Sequence, residues 1–351
     1  MGRNSHVYER GIMTIPVFDL HCDTADRIAW QFLPEELRRV YGRDFYGPGD
    51  EEDPEGCREL ARGRCQITME RIGATPWAQC FACFIPDEIS PADAIAFEGC
   101  VSAYFGQQLE KNPQVAVART SGEIRSALEG GGVCAVRTIE NARLFANDLG
   151  LVEKLAAEGL VMASLSWNAG GPLASGHETH EHMSTAGIAA LAEMERCGVA
   201  LDVSHLNDEC FADVAAHATR PFCASHSNAR AICGHKRNLT DDQFRAVMAS
   251  GGVVGLNYCS YFLVDGATGE KGKQVTFDQV AAHIEHWLDL GGEDAVALGG
   301  DLDGADVPDL LDGADKLPRF QQLLVVRFGQ DITEKLCYKN ALAYLERVQA
   351  N

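Results

Sequence analysis

A histidine and an aspartate follow the first apolar run of the chain and could bind a metal together. The run is IPVFDL (15–20), and His21 and Asp23 come directly after it. In an extended segment, residues two positions apart point the same way, so both side chains could reach one ion. On its own, such a pair is more often a polar strand end than a pair of metal ligands.

Two further histidines each follow an apolar run at equivalent points. GVALDVS (198–204) leads into His205, and PFCAS (221–225) leads into His226. Their separation of 21 residues is about one strand and one helix, which places them at the same end of neighbouring strands. A single histidine there is more often structural, whereas two in register fit a functional site as well as a structural role.

Two carboxylates also follow apolar runs, at positions equivalent to those of the histidines. VCAVRTI (133–139) ends at Glu140, and AVALGG (295–300) ends at Asp301. Either could instead cap a following helix. Together with the three histidines and Asp23, they form a set suited to two zinc ions, with other divalent metals as alternatives. A metal pair lowers the pKa of bound water and holds the attacked group.

The elements that must position these residues alternate along the chain. Eight short apolar runs are separated by amphipathic, helical stretches, a pattern typical of a parallel α/β sheet, barrel or open. The runs cover 15–20, 77–84, 133–139, 161–167, 198–204, 221–225, 252–258 and 295–300. Only closure makes the first and last strands neighbours, bringing His21 beside Asp301. We therefore predict a single (β/α)8 TIM-type barrel with its metal site at the carboxyl ends of the strands.

One domain is expected over residues 1–351, with residues 1–13 a polar N-terminal extension. Residues 31–56 and 168–186 are rich in loop-forming and charged residues, and we expect both to be long loops. Helix starts are predicted at Thr120, Thr240 and Thr276, because each is followed three residues later by Glu or Gln.

Composition limits the partners and the compartment. With 51 acidic against 30 basic residues, the net charge is −21, which disfavours nucleic acid and anionic membrane surfaces. No uninterrupted apolar stretch reaches about 18 residues, so no membrane span is expected. Thirteen cysteines lack a zinc-finger spacing, and free thiols in this number suit a reducing cytoplasm.

Several segments resemble the renal (membrane) dipeptidase family of zinc peptidases, which belongs among the amidohydrolase-like barrels. The resemblance covers roughly residues 15 to 345, and its segments are DLHCDT, LDVSHLND, ASHSNARAICGHKRNLTDD and LGGDLDG. It implies a binuclear zinc dipeptidase that hydrolyses the peptide bond of dipeptides by a metal-bridging hydroxide.

The resemblance also assigns roles to individual residues. It implies that His21 and Asp23 hold one zinc, that Glu140 bridges both, and that His205 and His226 hold the second. Asp301 matches the proton acceptor beside the first metal. Arg237 matches the arginine that pairs with the substrate carboxylate, although alone it could be a surface arginine. Asn257, in GVVGLNY, is a further candidate for substrate binding.

One position departs from the family pattern. The family has a substrate-binding histidine after a Leu-Thr pair, whereas this chain reads Leu165-Ser166-Trp167-Asn168. We expect Trp167 to line the substrate pocket without contacting metal, the alternative being a core tryptophan. The missing imidazole could be replaced from the nearby loop, which carries His177, His180 and His182, or the metals could suffice without it.

Other functions share the same residues. An N-acyl amino acid deacylase, a lactonase or a phosphoesterase could use the same barrel and metals, because a fold does not fix a function. A non-catalytic binding protein would be expected to lack a metal ligand, and no ligand of the set is missing. A homodimer is compatible with the sequence.

Overall fold

The computed structural model describes residues 15–41 and 56–350. The expected extension over residues 1–13 lies outside this part of the chain, and the one-domain assignment stays a prediction. The strands of the described part are β1 Val17–Cys22, β2 Trp77–Phe84, β3 Val115–Val117, β4 Val133–Glu140, β5 Leu160–Ser164, β6 Ala200–Asp202, β7 Ala224–Ser227, β8 Val254–Leu256 and β9 Val296–Leu298.

The sheet is parallel and closes into a barrel. Its order is β6-β5-β4-β2-β1-β9-β8-β7, and a bridge between Asp202 and Cys223 joins the two ends. β1 pairs with β9 through Asp19 and Leu298, as closure requires. The predicted (β/α)8 barrel is therefore confirmed. Each of the eight predicted runs overlaps a strand, and β3 is an additional strand that pairs with β4.

The barrel strands are buried on both faces, which explains their continuous apolar composition. Every residue of β1 and of β2 is buried. Alternate residues of a strand point to opposite faces. Accordingly, Val17 and Trp77 pack in one apolar cluster, whereas Phe18 and Ala78 pack in another.

Helices surround the strands and begin where the sequence indicates. Thr120 and Thr240 form capping boxes with Glu123 and Gln243, and a third such helix begins after Thr276. The helices are α1 Thr24–Ala29, α2 Glu35–Tyr41, α3 Met69–Ile72, α4 Pro91–Lys111, α5 Ser121–Glu129, α6 Gly150–Ala157, α7 Thr185–Cys197, α8 Asp208–His217, α9 Asp241–Ser250, α10 Ser260–Leu263, α11 Gly269–Lys273, α12 Phe277–Asp289, α13 Leu317–Phe328, α14 Gln330–Glu334 and α15 Asn340–Gln349.

The two expected long loops have different outcomes. Between 31 and 56, the structure contains α2, so this segment is not a loop throughout, and residues 42–55 lie outside the described part. The second loop is confirmed up to residue 184, since no helix or named strand lies between the end of β5 and Thr185, whereas the last two residues of the predicted loop belong to α7. This loop crosses the carboxyl end of the barrel and contacts the segment after β6 through a bridge between Gly176 and Leu206.

The cysteines only partly follow the expectation of free thiols. Cys57 and Cys65 form a disulfide, and the other eleven are free. Cys80 and Cys83 are buried free thiols inside β2. Among the described residues, no helix is long and apolar enough to cross a membrane. A cytoplasmic location stays a prediction.

Candidate metal centre and active site

The six predicted ligand and base residues lie together at the carboxyl ends of the barrel strands. His21 is the penultimate residue of β1, Glu140 is the final residue of β4, and His226 lies within β7. Their companions Asp23, His205 and Asp301 follow β1, β6 and β9 by one to three residues. Five separate strands therefore supply one site, as the barrel geometry predicts.

The carboxylate of Glu140 lies between two groups of these residues. Its Oε2 is 3.3 Å from His21 Nε2, and its Oε1 is 2.6 Å from His205 Nε2. Ligand atoms within 4.8 Å of one another define one group with His21 and Asp23 and another with His205 and His226. Glu140 is common to both groups, which is the arrangement of a carboxylate between two metal positions.

The remaining distances complete the two groups. Asp23 Oδ2 lies 3.4 Å from His21 Nε2, and Asp301 Oδ1 lies 3.9 Å from the same nitrogen. The Nε2 atoms of His205 and His226 are 3.0 Å apart. The rings of His21 and His226 stack with centroids 3.8 Å apart, so the two groups are contiguous.

The side chains present fit divalent metals. His21 Nε2 and Asp23 Oδ1 are buried polar atoms that have no hydrogen-bond partner within residues 15–41 and 56–350. Buried polar atoms are almost always satisfied, so these two atoms indicate a ligand. Gly304 adds room beside them, since a Cβ at this position would lie 1.9 Å from Asp23 Oδ2.

Burial and mutual charge set the protonation of the group. Burial raises the pKa of Asp23 to about 7, although His21 opposes it. Burial acts in the same direction on Glu140, but His205 and His21 outweigh it and hold that pKa well below its usual range. Burial lowers the pKa of His226, and the nearby His21 and Arg237 lower it further. A carboxylate and a neutral imidazole are the forms that bind metal.

Two of these residues have backbone conformations that turn the chain at the strand ends. His205 and Asp301 have φ of 73° and 57°, in the left-handed region that non-glycine residues rarely adopt. The fully buried Asp19 supports the second turn, since its carboxylate accepts the backbone N–H groups of His21 and Gly300 at 3.0 Å. Such unusual backbone is typical of functional sites.

A cavity of about 350 Å³ opens onto the group. Trp167 lines it, with its ring 4.9 Å from that of Phe84 in an edge-to-face arrangement, and its contact with substrate stays a prediction. The lining residues are Asp23, Phe84, Glu140, Trp167, Asn168, His205, Cys259, Tyr261, Phe262, Ala267, Thr268, Asp301, Gly304, Ala305 and Asp306. The cavity therefore combines an aromatic wall with the carboxylates of the candidate metal centre.

Arg237 is buried next to this cavity and does not line it. Only 3% of the residue is exposed, so it is not a surface arginine. Nη1 donates to Ser227 Oγ at 2.8 Å and Nη2 donates to the carbonyl of His226 at 2.9 Å. Among the described residues, Nε has no hydrogen-bond partner and no carboxylate lies within ion-pair distance of this side chain.

Asn257 contacts the candidate base instead of opening into the cavity. Its Nδ2 donates to Asp301 Oδ2 at 2.9 Å, and its Oδ1 accepts the backbone N–H of Cys259 at 2.6 Å. The residue is fully buried. Its direct contact with substrate stays a prediction, whereas its contact with Asp301 is a feature of the structure.

The three loop histidines are not equivalent. His180 and His182 are exposed and pair with Glu209 and Asp213 of α8. His177 is partly buried, with its ring centroid 6.4 Å from that of His205, and burial lowers its pKa to about 2. Of the three, only His177 lies near the metal centre.

Sequence reasoning did not single out the residues that hold the candidate ligands. Asn168 Oδ1 lies 3.0 Å from His205 Nδ1, and Ser225 Oγ lies 2.7 Å from His226 Nδ1. Asp303 binds the segment after Cys65, accepting the backbone N–H of Gln66 at 2.8 Å. Ser225 and Asp303 are sequence neighbours of recognised site residues, but nothing in the sequence indicated their partners.

Comparison with known proteins identifies the family. The family described as membrane dipeptidase (peptidase family M19) matches residues 9–351. The chain belongs to this family. It is a metallo-dipeptidase, a hydrolase that acts on peptide bonds. The resemblance drawn from the sequence motifs is therefore confirmed.

Two solved structures similar to this M19 dipeptidase cover nearly all of its length, and a sequence relative covers about two thirds of it. A protein from the pqqA 5' region of Klebsiella pneumoniae is 33% identical over 250 residues, which are 66% of this chain and 92% of that protein. A metallo peptidase from Rhodobacter sphaeroides, liganded with a phosphinate mimic of the dipeptide L-Ala-D-Ala, has a TM-score of 0.81 at 26% identity, covering 95% of this chain and 99% of that one. A structure of dipeptidase AC, of family M19, has a TM-score of 0.81 at 27% identity, covering 95% and 98%.

Proposed function

We propose that this dipeptidase is a binuclear zinc enzyme. The observation that carries the proposal is the position of Glu140, which shares its two oxygens between the His21 and Asp23 group and the His205 and His226 group. Imidazole nitrogens and carboxylate oxygens in these numbers match the ligand preferences of zinc. When bound, two zinc ions would supply a hydroxide nucleophile at neutral pH and polarise the scissile carbonyl.

Asp301 is the proposed proton carrier. Its Oδ2 is held by Asn257, while Oδ1 faces His21 and the residue lines the cavity. A carboxylate held in this way can accept the proton of the attacking water and pass it to the leaving amine. Its position beside the first ligand group supports this role.

Arg237 is the proposed partner of the substrate carboxylate. A buried guanidinium without an ion-pair partner is costly, so an anion from outside the chain would complete its surroundings. Its guanidinium carbon lies 5.8 Å from the ring of Phe262, which lines the cavity, so the cation is adjacent to the cavity wall. A free carboxylate requirement limits the substrates to dipeptides or similarly short N-acyl amino acids.

Trp167 and Phe84 form the apolar part of the proposed substrate pocket. The indole fills the position of the family histidine and cannot act as an acid or base near neutral pH. Binding of apolar or compact side chains is expected there, because burying apolar surface is favourable. The relative from Rhodobacter sphaeroides was solved with a mimic of L-Ala-D-Ala, which makes L,D-dipeptides with small side chains the first substrates to test.

The test combines metal analysis with a substrate screen. Protein purified without chelator should contain about two divalent metals per chain and should hydrolyse a subset of L,L- and L,D-dipeptides after loading with zinc. N-acyl amino acids serve as the comparison class. A protein with fewer than two metals at saturation would contradict the binuclear centre, and turnover of N-acyl amino acids without turnover of dipeptides would identify a deacylase.

A further inference from the structure

The two histidines proposed for the second metal each have a hydrogen-bond partner at Nδ1, the nitrogen that faces away from the site. For His205 this partner is Asn168 Oδ1 at 3.0 Å, and for His226 it is Ser225 Oγ at 2.7 Å. Nε2 of both rings points toward Glu140, at 2.6 and 3.8 Å from Oε1. Hydrogen bonds at Nδ1 therefore orient both rings, and both rings present Nε2 to the site.

Around His226, a buried carboxylate determines the direction of the hydrogen bonds. Ser225 has a single hydroxyl proton, and its oxygen is in short contact with Asp202 Oδ2. An ionised carboxylate can only accept, so the serine donates to Asp202. The serine oxygen is then the acceptor for His226, which must carry its proton on Nδ1. Its Nε2 is left with a lone pair for metal.

Around His205, the side-chain amide of Asn168 is the hydrogen-bond acceptor that fixes the ring. Asn168 directly follows Trp167, and the backbone N–H of the next residue, Ala169, donates to Asp87 Oδ2 at 2.8 Å. Asp87 also accepts from Asn141 Nδ2 at 2.9 Å, so the start of the loop is fixed to the end of β4. The amide oxygen of Asn168 accepts a hydrogen bond from Nδ1–H of His205. Nε2 of His205 therefore keeps a lone pair that can bind metal.

We propose that Asn168 and Ser225, the latter supported by Asp202, are positioning residues that make the second metal site. They fix ring orientation and proton position in His205 and His226 before metal arrives. Partners of this kind usually contribute 10- to 100-fold to metal affinity. The first metal position, with His21 and Asp23, contains neither of these partners, so their loss is expected to weaken one site only. This inference rests on the proposed two-metal centre.

The test measures zinc affinity and stoichiometry in four full-length variants, by competition with a chromophoric chelator and by elemental analysis. Asn168→Leu and Ser225→Ala remove the two acceptors. Asn168→Asp keeps the shape of the side chain, and its carboxylate can only accept hydrogen bonds, so this variant should keep the zinc affinity of the unmodified protein. Ser164→Ala is the matched control, because Ser164 is also a buried serine of a barrel strand but accepts from the backbone of Asn141 and touches neither histidine. Circular dichroism reports folding.

The expected result is selective loss of one metal. Asn168→Leu and Ser225→Ala should bind the second zinc roughly 10- to 100-fold more weakly while the first remains bound. Asn168→Asp and Ser164→Ala should retain two zinc ions at unmodified affinity. If Asn168→Leu fails to fold, Ser225→Ala decides alone.

Three results would overturn the inference. They are two tightly bound zinc ions in both acceptor variants, equal weakening of both sites in a folded variant, and an Asn168→Asp protein as weak as Asn168→Leu. An unmodified protein that binds fewer than two zinc ions would instead contradict the proposed binuclear centre, so the two failures are distinguishable.

Discussion

Asp301 presents its two carboxylate oxygens to different surroundings, and this asymmetry suits a proton carrier. Oδ2 accepts from Asn257, and Oδ1 is directed toward His21. Asp301→Asn keeps the shape but removes the basic group. We expect kcat to fall roughly 10²- to 10⁴-fold with metal content intact, since this is the usual contribution of a general base. Near-normal kcat in a variant that holds its metals would exclude Asp301 from this role.

Arg237 is a buried cation whose Nε has no hydrogen-bond partner in the part of the chain that the structure describes. Arg237→Met keeps much of the side-chain volume and removes the charge. A charge-assisted hydrogen bond contributes about 1.5–3 kcal/mol, so KM for dipeptides should rise roughly 10- to 100-fold. Dipeptides with an amidated C-terminus provide the control, since the unmodified enzyme should already handle them poorly. Equal turnover of amidated and free dipeptides would contradict the carboxylate clamp.

Trp167 determines the chemistry of one cavity wall. Trp167→His restores an imidazole at the position of the family histidine and removes an edge-to-face contact with Phe84. We expect a changed preference among dipeptide side chains and unchanged metal content, because the indole does not belong to either candidate ligand group. Kinetics on a dipeptide panel, with metal analysis, measures both. An unchanged substrate profile would show that this wall does not select substrates.

At the scale of elements, the loop after β9 must pass very close to the loop after β1. A Cβ added at Gly304 would lie 1.9 Å from Asp23 Oδ2 and 2.8 Å from Asp301 Oδ1. Gly304→Ala should therefore displace these carboxylates and lower zinc affinity and kcat together, while the barrel remains folded. Gly99→Ala in α4 is the control, because a Cβ there meets nothing within 4 Å. Unmodified zinc affinity in Gly304→Ala would show that the contact is not tight.

At the scale of the whole molecule, the proposed metal centre takes its ligands from β1, β4 and β7 and from the segments after β1 and β6, with Asp301 after β9 beside them, and so connects strands around the barrel. The seam between β1 and β9 is short, with one paired position and a further bridge between Cys22 and Leu302. A ligand bound only by the folded state adds about 2.7 kcal/mol at 100 times its dissociation constant. Chelation should therefore lower Tm by several degrees, and readdition of zinc should restore it. An unchanged Tm after complete metal removal would indicate a barrel that is stable without the centre.

Much of the fold was determined by local features of the sequence. The eight runs are continuous and apolar because their strands are buried on both faces, and Thr120 and Thr240 identify helix starts through contacts three residues away. The positions of His205 and His226 at the carboxyl ends of neighbouring strands follow from the period of the β/α unit. For the same reason, the sequence predicted that the candidate ligands would meet at one end of a closed barrel.

Tertiary structure decided the contacts that depend on residues distant in the chain. β3 is three residues long and exists only through pairing with β4, so its own sequence does not predict it. The burial of Arg237, the contact of Asn257 with Asp301 across 44 residues, and the contact of Asn168 with His205 across 37 residues arise from packing of separate loops. A linear pattern records which side chains follow a strand, but the hydrogen-bond partner of a side chain is determined by the three-dimensional path of the loops, and that path is fixed only when the barrel closes.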